Sequence, residues 1–117
     1  MLNTNITHIL SEQEHAKLLQ ENENVMICCG RMGPMCIPVY EVMEELETEY
    51  KHIKFADMEF DTPDAKVIRN LPEVRSFQGI PFVIYYKNGK VVKATSSIQS
   101  VSQVRSVLDA QFGPAQK

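Results

Sequence analysis

The 117-residue sequence predicts a mixed α/β domain, a roughly five-stranded sheet with helices on both faces, and three observations predict it. Strand-like and helix-like stretches alternate through the first half of the chain, a pattern that demands parallel pairing with right-handed crossovers. The run Val25 to Cys29 is apolar at every position, as a strand buried on both faces must be. Asn88-Gly89 stands between two further strand-like stretches, a strong hairpin signal that adds antiparallel strands to the same sheet.

Taken in order, Ile6 to Leu10 reads as a short strand, and Ser11 with Glu14 three residues on supplies a capping box for a helix through about Gln20. Asn22 to Asn24 ends that helix. Val25 to Cys29 is the second strand, bounded by Gly30, and it leads into a sulfur-rich loop. Val39, Val42, Met43, Leu46 and Tyr50 then recur at helical spacing, while Glu41, Glu44, Glu45, Glu47 and Glu49 fall mostly on the opposite, solvated side. Ile53 to Phe60 is the third strand. Thr62 and Pro63 offer an N-cap and a first-turn proline for a short helix over Asp64 to Arg69, and a connecting segment runs to Gly79. Phe82 to Tyr86 and Lys90 to Thr95 are the hairpin strands. Ser100 with Gln103 caps a last helix that presents Val101, Val104, Leu108 and Phe112 on one face and stops at Gly113-Pro114. Residues 1–117 are expected to form a single domain, long enough for one hydrophobic core.

Hydrophobic content of 44%, charged content of 23% and a net charge of -3 are ordinary for a soluble globular protein. No basic run exists to hold phosphate backbones, so nucleic acid is not an expected partner. The N-terminus "MLNTNITHIL" has neither a basic n-region nor an apolar h-region, and no apolar run approaches a membrane span. The expected setting is the cytoplasm, away from any membrane. Cys28, Cys29 and Cys36 crowd into one short stretch and are odd in number, which is not how a secreted disulfide framework is distributed.

With these elements placed, the chain resembles the thioredoxin family over nearly its whole length. "MGPMCIPVYEVMEELETEY" lies where that family has Cys-Gly-Pro-Cys and a long helix, "FADMEFD" matches its third strand, and "GIPFVIYYKNGKVV" matches its Gly-Ile-Pro loop and hairpin. The resemblance implies a thioredoxin fold with Pro81 as a cis-proline opposite the loop, leaving the Ile80 backbone to pair with an extended substrate. A cis peptide is accessible before proline; on its own, "GIP" would read as an ordinary turn into a strand. The departures matter more. By the resemblance Met32 stands where the attacking cysteine belongs and Met35 where the resolving cysteine belongs. A thioether cannot ionise, and the thiolate is what attacks a disulfide, so the usual exchange through Met32-Gly33-Pro34-Met35 is excluded. Met26 replaces the family's buried acid, Cys28 its supporting tryptophan, Asp57 a buried lysine and Tyr40 a helix proline.

Redox chemistry could have moved to Cys36, partnered by Cys28 or Cys29. Cys36 is expected near the surface, and in a first helical turn the macrodipole would favour its thiolate. Pro38 also suits a first helical position, which would leave Cys36 just outside the helix. If Met26 faces the site, strand alternation turns Cys28 the same way and Cys29 to the other side; a vicinal Cys28-Cys29 bridge would be strained. The plainer account of both strand cysteines is core packing. Met26, Met32 and Met35 with the cysteines are soft ligands of the kind that suits Cu(I), but no His lies nearby, and methionines filling the volume of a lost tryptophan is the preferred account. No metal and no cofactor is expected. Asp57 is a candidate acid/base if burial raises its pKa, or else a carboxylate paired with Lys54 or His52. His8, His15 and His52 lack ligand spacing and are expected at the surface.

Two functions therefore compete. One is an atypical thiol-disulfide oxidoreductase acting through Cys36, with or without Cys28 or Cys29. The other is a redox-inactive module whose Met32–Met35/Pro81 groove binds an extended segment of a protein or peptide.

Overall fold

The unbroken apolar run in the second strand reflects its place at the centre of a sheet covered on both sides. The computed structural model describes residues 2–115. The chain runs β1 (Thr7–Ile9), α1 (Glu12–Glu21), β2 (Asn24–Gly30), α2 (Ile37–Glu47), β3 (Lys54–Glu59), α3 (Lys66–Arg69), β4 (Phe82–Lys87), β5 (Lys90–Ser96) and α4 (Val101–Phe112). The sheet order is β1-β3-β2-β4-β5. β1 and β2 pair parallel with β3, β4 pairs antiparallel with β2, and β5 closes the edge as the hairpin partner of β4.

Alternation along β2 divides the core. Met26 and Cys28 pack under α2 and α4 with Val39, Met43 and Leu108, whereas Val25, Ile27 and Cys29 face Leu18 of α1 and Ile68 of α3. The mixed five-stranded α/β sheet with helices on both faces is thus the observed architecture. Asn88 and Gly89 both take positive φ, 54° and 79°, the backbone of a type I′ hairpin turn whose twist matches the flanking strands.

Local chemistry set the element ends in most places and missed in a few. Ser100 and Gln103 form the complete reciprocal box at the start of α4, with Gln103 N–H on Ser100 Oγ (3.1 Å) and Ser100 N–H on Gln103 Oε1 (2.8 Å). At α1 the box is only half closed: Ser11 Oγ accepts from Glu14 N–H (3.1 Å), but the Glu14 carboxylate takes the N–H of Leu10. Thr62 is extended, yet its side chain caps nothing, and the segment Pro63–Ala65 is a 3₁₀ turn that precedes α3. A second 3₁₀ turn, Pro72–Val74, lies inside the connecting segment.

The three histidines are not a set of surface residues. His15 is buried against Tyr86, its Nε2 3.3 Å from the phenol oxygen, and burial lowers its pKa. His52 Nε2 donates to the Phe112 carbonyl (3.1 Å), and His8 is half-buried beside β3. Among the described residues, no helix is long and apolar enough to cross a membrane.

Candidate functional site

Pro38 can stand near the start of a helix because a first-turn N–H has no intrahelical acceptor to lose. The helical winding begins before it. Cys36 N–H and Ile37 N–H both reach the Gly33 carbonyl, at 3.0 and 2.9 Å, so the loop closes into a turn and hands over to α2 with Cys36 at the N-cap in helical geometry (φ −94°, ψ −41°). That turn folds the Cys36 side chain inward. Cys36 is 1% exposed, so the expectation that it lies near the surface fails.

What it folds onto is the end of β2. A Cβ added at Gly30 would meet Cys36 Sγ at 2.7 Å, the Tyr40 hydroxyl at 2.9 Å and Pro81 Cβ at 3.1 Å. Gly30 is therefore the point where β2, the loop turn, α2 and the segment before β4 converge, and no other residue type fits there without displacing one of them. The Ile80–Pro81 peptide is cis and Pro81 is buried. Its carbonyl accepts from Ser97 N–H (3.1 Å), while among the described residues no backbone hydrogen bond engages Ile80.

All three cysteines are free thiols in the interior. Burial pushes the Cys36 thiol up; opposing it, the Arg31 N–H donates to Cys36 Sγ (3.4 Å) and the Arg31 charge favours the thiolate. Burial pushes Cys28 well up, with the Tyr40 hydroxyl beside it opposing. Cys29, on the other face, is pushed up to about 12, again mainly by burial. Tyr40 is 2% exposed and its hydroxyl is buried without a hydrogen-bond partner, and the same holds for the buried Tyr85 hydroxyl.

Asp57 sits opposite Cys28 on one side and His8 on the other in the strand register. It is 1% exposed, accepts from the Thr4 hydroxyl and pairs with His8 Nδ1 at 2.7 Å. Its partner is thus β1 and the segment before it, not Lys54 or His52. Burial pushes the Asp57 carboxyl up, against the Thr4 and His8 hydrogen bonds that favour its charged form. Both of its oxygens are engaged away from the loop.

The outer surface of the loop is apolar. Met32, Met35 and Ile37 are 43%, 44% and 38% exposed, and Arg31 beside them is tied to Asp61 by a two-point ion pair (2.7 and 2.8 Å). Among the described residues, no group of three or more His, Cys, Asp or Glu side chains is placed to hold a metal.

No protein-family model and no curated protein matches the sequence. The fold, by contrast, is similar to that of solved structures. Thioredoxin f2 of Chlamydomonas reinhardtii superposes with a TM-score of 0.77 over 93% of this chain and 98% of its own, at 12% identity. The chain has a thioredoxin fold. Mitochondrial thioredoxin 3 of Saccharomyces cerevisiae in its oxidised form gives 0.72 over 89% and 94% at 16% identity, and oxidised Plasmodium falciparum thioredoxin gives 0.69 over 90% and 96% at 17%.

Within this thioredoxin fold, Cys36, Tyr40 and Pro81 converge on Gly30 and Cys28 shares the core of Cys36 and Tyr40, while the loop Met32, Gly33, Pro34 and Met35 leads into Cys36 with both methionines exposed. Cys29 is separated from them by the sheet and Asp57 is committed to β1. Gly30 and Tyr40 were not singled out by the sequence as site residues. Tyr40 carried a usable signal, since Cys36, Tyr40 and Met43 follow the i, i+4, i+7 spacing of one helix face. Gly30 carried none, because its neighbours come from three distant parts of the chain.

Proposed function

We propose that this protein is a cytoplasmic thiol-disulfide redox protein that works through Cys36, with Cys28 as its partner thiol, on an extended protein or peptide segment lying against Ile80 and Pro81. The observation that carries this is the placement of Cys28 and Cys36 on one face of the sheet beside Pro81, while Cys29 faces the opposite core. The Cys36 thiolate attacks a substrate disulfide and expels one substrate thiolate, leaving a mixed disulfide. The Cys28 thiolate then attacks Cys36 Sγ, releases the second substrate thiolate and leaves a Cys28–Cys36 disulfide, so two electrons pass to the substrate. Because Cys36 is buried, the segment 31–35 must open for the first step. Thiol counting in a defined glutathione buffer, with insulin reduction by wild type and Cys36→Ser, tests this. The expected result is a thiol pair lost on oxidation and activity abolished in Cys36→Ser; three slowly reacting thiols in every buffer with no reductase activity overturns it.

A second reading, a binding module without redox chemistry, is favoured by a different observation: the loop exposes Met32, Met35 and Ile37 while the thiol beneath them is buried and raised in pKa. Methionines adapt to varied apolar partners. Under this reading protein with all thiols alkylated under denaturing conditions and refolded binds extended apolar peptides as tightly as untreated protein, and Met35→Asp weakens that binding.

A further inference from the structure

A buried phenol hydroxyl without a partner is costly, about 1–3 kcal/mol, and calls for a reason. Tyr40 offers one by where it points. Its hydroxyl and Cys36 Sγ approach the same spot above Gly30 to 2.9 and 2.7 Å, and the Cys28 thiol lies on the same face below. A neutral thiol is a weak acceptor and leaves the hydroxyl unpaired; an ionised sulfur is a strong one. We propose that Tyr40 is the hydrogen-bond donor held in reserve for the ionised form of the Cys36/Cys28 pair, a positioning residue for thiol chemistry that acts together with the Arg31 N–H.

This rests on the thiol reading above. The other titratable or charged groups acting on the pair are Asp57 on β3, Tyr85 on β4, Arg31 just past β2 and, from the opposite face of β2, Cys29. Asp57 is bound to Thr4 and His8, and Arg31 holds Asp61, which leaves Tyr40 and Tyr85 as the unengaged donors; of these, Tyr40 converges with Cys36 Sγ on Gly30, whereas Tyr85 meets only Cys28. The phenol need not ionise to do this: it donates its proton into a hydrogen bond and keeps it. Its own ionisation is pushed up by burial, which keeps it a donor across the working pH range.

The test is the pH profile of iodoacetamide alkylation at Cys36, read by peptide mass spectrometry in wild type and Tyr40→Phe, with thermal unfolding as the control for folding. Loss of the donor is expected to move the Cys36 midpoint up by about one pH unit and slow alkylation at pH 8 about tenfold. Replacing Tyr40 with 3-fluorotyrosine, a stronger donor of the same shape, is expected to move the midpoint the other way. That variant carries the test if the phenylalanine protein folds poorly. An unchanged midpoint with a rate within twofold overturns the role of Tyr40 while leaving Cys36 chemistry standing. A faster rate at every pH with the same midpoint means only loosened packing and also overturns it. Failure of Cys36 to alkylate in folded wild type at any pH overturns both.

Discussion

Gly30→Ala is the most informative single perturbation. The added methyl would stand 2.7 Å from Cys36 Sγ, 2.9 Å from the Tyr40 hydroxyl and 3.1 Å from Pro81 Cβ, each well inside ordinary contact. None of the three is a free chain end, because Cys36 lies in the turn bonded to Gly33, Tyr40 is on α2, and Pro81 is held by the Ser97 hydrogen bond. Overpacking a well-filled interior costs about 1–3 kcal/mol, and a clash with three elements belongs in the upper half of that range, about 2–3 kcal/mol. For a chain of this length each kcal/mol lowers Tm by about 4 °C, so a fall of roughly 8–12 °C is expected. Urea unfolding should show a lower midpoint at an unchanged m-value. Gly33→Ala is the matched control: nothing lies within 4 Å of its added Cβ, and its stability should stay within about 0.5 kcal/mol of wild type. Because Cys36 Sγ is the nearest obstacle, Cys36→Ala in the Gly30→Ala background should recover stability relative to the sum of the two single changes, by about 1 kcal/mol of coupling. A Gly30→Ala protein as stable as the Gly33→Ala control would refute the convergence described here.

Other predictions concern the surroundings. Cys29→Ala should leave oxidation of the remaining thiols unchanged, whereas Cys28→Ala should prevent any intramolecular disulfide, as judged by non-reducing peptide mapping. Folding raises the Asp57 pKa, so the native chain holds that proton to higher pH than the unfolded chain, which releases it near about 4. The contribution of this proton is complete below that point and is lost as pH rises through the raised folded value. Wild type should therefore lose stability relative to Asp57→Asn across that window; a difference between the two proteins that is flat with pH contradicts the shift. Ser100→Ala removes one arm of the only fully closed capping box described and should cost about 1 kcal/mol, or roughly 4 °C in Tm, by calorimetry.

What the sequence made legible was chemistry between residues close in the chain. Asn88-Gly89 announced a turn because two adjacent residues had to take positive φ, and Ser100 with Gln103 announced α4 because the box spans a single turn. Strand alternation likewise assigned Cys28 and Cys29 to opposite faces from Met26 alone. Contacts across the fold were not legible. The Asp57 partner depends on the β1–β3 register, which a three-residue strand cannot encode by pattern, so proximity in the chain points to Lys54 and His52 and not to His8. The burial of Cys36 depends on Gly33 accepting two N–H groups, a turn that neither Pro34 nor Pro38 specifies on its own.

Within β2, residues 25–29 read Val-Met-Ile-Cys-Cys, and every one of those side chains is at home in either core, so hydrophobicity alone hardly distinguishes the native register from one shifted by a single residue. A shifted strand would even keep a sulfur under the loop, since Cys29 would take the place of Cys28. Gly30 breaks the tie. Slipping the strand either way brings Cys29 or Arg31 to the spot where only a hydrogen fits, so the smallest residue in the stretch serves as the indexing mark that tells an otherwise ambiguous strand which way up to lie.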